Sequence, residues 1–152
     1  MSFEEKLTWV NATTTVIVVL GYAWVVAGQL AATPVAEIAY QGPMVVAVVA
    51  MIRLTIAGAI VTAIVTAISA EIASPGSAGN HDIDRSDERD KYISRRGDLI
   101  GYYVSSVLIV GALALTMVQA EYFWIANSIF AAFIIAGLTS SAVKLVSYRR
   151  GF

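Results

Sequence analysis

The chain has 152 residues, of which 58% are hydrophobic and only 14% charged, with a formal net charge of −1. A mean hydropathy of +0.73 lies outside the range of soluble domains and points to a single membrane-embedded domain. With no basic face to neutralise phosphates, nucleic acid is excluded as a partner. The lack of cysteine removes disulfides, thiolate metal sites and thiol nucleophiles, and the single His81 cannot supply a bis-imidazole haem or zinc site.

The first segment carries Glu4 and Glu5 against one Lys6, a poor start for a cleaved leader. The apolar run that follows, 9–30, is also too long for a leader's hydrophobic region, so it reads as a retained transmembrane helix. Three further apolar runs follow at 44–70, 99–118 and 123–146. Each reaches roughly 30 Å or more as helix, enough for the hydrocarbon core. Runs of β-branched residues such as Val16 to Val19 would favour strands in water. In lipid the backbone must satisfy its own hydrogen bonds, which selects helix.

The connection 31–43 contains no Lys or Arg, and neither does the short turn 119–122. The cations lie instead at Lys6, in the loop 71–98 (Arg85, Arg89, Lys91, Arg95, Arg96) and at Lys144, Arg149 and Arg150. Four spans put all of these on one side, which the positive-inside rule makes the cytoplasm, with both termini there. Trp24, Tyr40, Tyr122, Phe123 and Trp124 then form one aromatic belt, and Trp9, Tyr102, Tyr103 and Tyr148 the other. The expected fold is all-α: four transmembrane helices in two hairpins. Within the loop, the SPGSAGN stretch at 74–80 is linker-like. Ser86 looks like a helix start, so a short amphipathic helix, with Tyr92 and Ile93 toward the membrane, is expected to lead into the third span through Gly97.

Small residues recur every four positions at Thr55, Ala59, Ala63 and Ala67, at Ala132, Ala136 and Ser140, and at Gly97, Gly101 and Ser105. Such stripes let helices approach closely. They read either as packing within one chain or as the seam of a homo-oligomer.

Arg53 is the most informative single residue, lying roughly 13 Å inside the uncharged end of the second span. A charge at that depth is costly and is by default a functional-site candidate. Its candidate partners are Glu121, Glu37, Gln29 and Asn127. The alternatives are a snorkelling side chain, a structural ion pair and a substrate or ion site. The loop carboxylates Asp82, Asp84, Asp87, Glu88 and Asp90 lack the EF-hand glycine and are interleaved with Arg85 and Arg89, so they read as a solvated, salt-bridged helix. Arg95, Arg96, Lys144, Arg149 and Arg150 flank helix ends, where anionic lipid head groups attract them. No nucleophile–base set, intramembrane carboxylate pair or phosphate-cradling loop is legible, so neither an enzyme nor a cofactor is expected.

Several segments together resemble a group of small bacterial membrane proteins of unknown function. They are the start Phe3-Glu4-Glu5-Lys6 with Trp9, the PVAEIAYQGP stretch at 34–43 and IASP at 72–75. DERD at 87–90 follows with Ile93 and Gly97, then FWIAN at 123–127 and YRRGF at 148–152. The resemblance implies a four-helix membrane fold in a bacterial inner membrane and no particular activity. The expected role is assembly, as a homo-oligomer or as an accessory subunit among other membrane subunits. The alternative is a small channel or transporter with Arg53 selecting or gating an anion.

Overall fold

A computed structural model describes residues 3–73 and 88–150 of the chain. Among these, four long α-helices account for nearly the whole structure: α1 (Phe3–Leu30), α2 (Gln41–Ala73), α3 (Glu88–Met117) and α4 (Tyr122–Arg150). All four are long and apolar enough to cross a membrane, so the chain is an all-α, multi-pass membrane protein. Each helix extends past its apolar run: α1 by a turn and a half at its start and α2 to 73. At 33 residues α2 is about 50 Å long, which exceeds a 30 Å hydrocarbon core and calls for tilt or projection.

The helices pair as two hairpins, α1 with α2 and α3 with α4, and the hairpins meet through α1 and α4. The order across the bundle is therefore α2, α1, α4, α3, with α2 at one edge. The closest approach is between α3 and α4. Gly97 and Gly101 are buried on α3. A Cβ at Gly101 would lie 3.0 Å from the Ala136 carbonyl oxygen and 3.1 Å from Ser140 Cβ. Two stripes of small residues thus face one another, which lets backbones pack without side chains between them. In α2, Thr55, Ala59, Ala63 and Ala67 are half-buried. Gly58 beside them meets Val10 of α1 directly.

The two turn-end connections show why the chain reverses where it does. After α1, Gln29 Oε1 accepts the Ala39 amide at 3.0 Å, and a 3-10 turn (Val35–Glu37) brings Ile38 inward, where it is buried. Ile38 packs with Tyr22, Val26, Ala47 and Phe123. Pro43 then sits in the first turn of α2, where its missing N–H costs nothing. At the end of α3 the Gln119 amide donates to Thr116 O at 3.1 Å and the Ala120 amide to Leu115 O at 3.0 Å, with Gln119 at φ 54°. This is a Schellman cap whose left-handed position holds glutamine in place of the usual glycine.

Three sequence expectations need correction. The loop helix is no separate element: α3 runs unbroken from Glu88, through Gly97, to Met117. Gly97 serves close packing against Lys144 and Ser140 and is no joint. Ile93, expected with Tyr92 to face the membrane, is buried inside the bundle, while Tyr92 is exposed. The helix start at Ser86 and the SPGSAGN stretch lie outside the described residues. In the aromatic belt, Trp24 and Tyr122 are exposed, whereas Phe123 is buried and stacks edge-on against Tyr40, with centroids 5.4 Å apart. These two rings belong to the inner cluster.

Candidate functional site

Arg53 lies two residues from the midpoint of the Gln41–Ser69 span, about 3 Å along the axis. The side of α2 that meets α1 is marked by buried Ala47 and Thr62 and by Gly58. Arg53 falls on the opposite side of the helix and is exposed. Its surroundings on that face are Val49, Ile52, Ile56 and Ile60, all exposed. No hydrogen bond or ion pair joins Arg53 to another described residue. The result is a band of branched apolar side chains with one guanidinium in it, turned away from the bundle.

Of the expected partners of Arg53, Gln29 and Asn127 are engaged elsewhere, while Glu37, in the 3-10 turn, and Glu121 lie at the turn end of the bundle. Gln29 holds the Ala39 amide. Asn127 accepts the Tyr22 hydroxyl at 2.6 Å and donates its amide to Phe123 O at 2.8 Å. Glu121 is exposed in a cleft of about 670 Å³ at the turn end, shared with Tyr40, Gln41, Gln119 and Tyr122. The four residues therefore form no common polar site. Tyr22 was not legible as a functional partner, because a tyrosine inside an apolar run reads as belt or core. Only its depth, level with Asn127 on a neighbouring helix, gives it its role.

At the other end the cations divide. Lys144 Nζ pairs with Asp98 Oδ1 at 2.7 Å, and the same carboxylate accepts the Ser140 hydroxyl at 3.1 Å and the Ser94 hydroxyl at 3.3 Å. Lys144 thus links α3 to α4. Arg149 lies over the Trp9 ring, 5.7 Å from its centroid, tying α4 to α1. Arg95, Arg96 and Arg150 are exposed. Among the described residues no group of three or more His, Cys, Asp or Glu side chains is arranged to hold a metal ion. No family model, curated protein or solved structure matches the chain.

Proposed function

We propose that this chain is a non-catalytic assembly subunit, a four-helix module that joins another membrane helix through the outward face of α2. One observation carries the reading: Arg53 is exposed at mid-span on a helix covered by α1 on one side only. On insertion scales an arginine at the bilayer centre costs about 2.5–3.5 kcal/mol. A partner helix bearing a carboxylate would offset that cost, while Val49, Ile52, Ile56 and Ile60 supply packing surface around it.

The partner is either a second copy or a different subunit, and the charge pattern favours the second. No Asp or Glu occurs in 6–36, 38–70, 99–120 or 122–152. A second copy therefore has no carboxylate to offer at the depth of Arg53. An anion channel formed by one chain asks that Arg53 line a lumen, and its place on the outer face of α2 speaks against that. By the positive-inside rule the end bearing Lys6, Arg95, Arg96, Arg149 and Arg150 faces the cytoplasm, and the resemblance to small bacterial membrane proteins supports an inner membrane as its location.

The test is the mass of the species extracted from native membranes in mild detergent, measured by light scattering after size exclusion. The wild type is expected to run as a complex and Arg53→Leu as a monomer. A monomer in both cases overturns the reading.

A further inference from the structure

The cleft of about 670 Å³ at the turn end of the bundle is explained neither by helix pairing nor by assembly through α2. It lies where the connection 31–43 meets the turn into α4, and both supply its walls. Val35 and Ile125 give it apolar surface, Tyr40 and Tyr122 aromatic surface, and Gln41 and Gln119 amide groups. A concave site of this size with mostly apolar walls and a few polar groups suits a small organic molecule. Gln119 holds a left-handed φ of 54°, where glycine is the usual and less strained choice. The side chain retained at that cost lines the cleft.

The charge of the cleft has one sign. Glu121 is the only charged residue in its walls. Its carboxylate is exposed, and no hydrogen bond or ion pair joins it to another described residue. A second carboxylate, Glu37, stands between the lining residues Ala36 and Ile38. Lys and Arg are absent from 7–52 and 97–143, so the nearest cation along the helices is Arg53, roughly 18 Å from Gln41. The helix dipoles offset one another, because α3 ends and α4 begins at the cleft. An organic ammonium group answers these features: its charge complements Glu121, its N–H groups suit carboxylate and amide oxygens, and aromatic faces attract it. A metal ion has no use for Tyr40, Tyr122 and Val35. The ammonium head of a phospholipid brings a phosphate, which would stand beside Glu121 and Glu37 with no cation to neutralise it.

We infer that the turn-end cleft binds a small free organic ammonium ion, with its charged group on Glu121 and its apolar body against Tyr40, Tyr122 and Val35. The inference is independent of the assembly reading, since neither Arg53 nor the outward face of α2 takes part. An exposed ion pair and an exposed cation–π contact each contribute up to about fivefold in affinity.

NMR titration of the isotope-labelled full chain in uncharged maltoside micelles tests this with three probes: phenethylammonium, phenethyl alcohol and phosphatidylethanolamine. Phenethylammonium is expected to shift the amides of Gln119, Ala120 and Glu121 saturably. Phenethyl alcohol, of nearly the same shape but uncharged, should bind about fivefold more weakly. Glu121→Gln should erase that preference, and Tyr40→Leu should weaken binding of the ammonium ion about threefold. Should Glu121→Gln disturb the whole amide spectrum, salt takes its place: added salt should weaken wild-type binding of the ammonium ion and leave that of the alcohol unchanged. Equal affinity for the two small probes overturns the inference, as does an unchanged preference in Glu121→Gln. Shifts spread evenly over all four helices mark partition into the micelle and overturn it too. So does phosphatidylethanolamine displacing the amine, which assigns the cleft to lipid.

Discussion

The Tyr22 hydroxyl donates a hydrogen bond to Asn127 Oδ1 at 2.6 Å, joining α1 to α4 across 105 residues of sequence and holding the two hairpins together. Phe130 stacks on the same tyrosine, with centroids 5.0 Å apart. Because lipid offers no competing donor, the bond adds to packing, although interhelical hydrogen bonds in membranes average only about 0.6 kcal/mol and reach about 1.7. Tyr22→Phe keeps the ring contact and removes the bond. It is expected to lower stability by about 1 kcal/mol in denaturant or detergent unfolding. A double-mutant cycle with Asn127→Ala should recover most of that loss as a coupling energy.

The glycines of α3 are expected to separate by position. Gly101→Val would press against the Ala136 carbonyl, backbone that cannot yield, and should destabilise by about 1–3 kcal/mol. Gly111 has nothing within 4 Å of its would-be Cβ. Gly111→Ala should leave stability unchanged or raise it by up to about 1 kcal/mol. Similar losses at both positions would refute close α3–α4 packing as the source of stability.

At the turn between α3 and α4, Gln119 occupies the left-handed region at φ 54°. A non-glycine residue there is strained by roughly 1–2 kcal/mol, partly offset by the greater freedom of glycine in the unfolded chain. Gln119→Gly is expected to raise the unfolding midpoint slightly, and Gln119→Val to lower it. Thermal unfolding in detergent separates the two signs.

Thr66 Oγ1 is buried without a hydrogen-bond partner in α2. A buried unsatisfied hydroxyl costs about 1–3 kcal/mol, and valine has nearly the same shape. Thr66→Val should therefore be neutral or stabilising in the same assay, and a clear loss would reveal a partner for the hydroxyl.

The spans and their hairpin pairing were legible because lipid leaves the backbone few choices: long apolar runs must be helices, and a turn as short as 119–122 forces α3 and α4 side by side. What hydropathy could not supply was the order of the hairpins. That α1 rather than α2 meets α4 depends on Tyr22, Phe130 and Asn127 coming to one depth, which no local pattern encodes. Gly97 shows the opposite failure. A glycine before an apolar run reads as a joint, yet α3 passes straight through it because the space left by its missing side chain is filled by Lys144. Arg53 stood out from the sequence as a charge roughly 13 Å inside the second span, but the sequence left open whether it faced the bundle or the lipid. Its direction depends on which side of α2 meets α1, and Gly58 and Val10 decide that.

The central claim is that the outward face of α2 meets another membrane helix at Arg53. Because the chain has no cysteine, a single probe can be placed without background. A photo-crosslinking residue at Ile60, two turns from Arg53 on the same exposed face, should give a discrete protein adduct in native membranes. The adduct should vanish in Arg53→Leu, although that change lowers the cost of inserting α2 into lipid by about 3 kcal/mol. Labelling of lipid alone, or an adduct that persists without Arg53, would contradict the account.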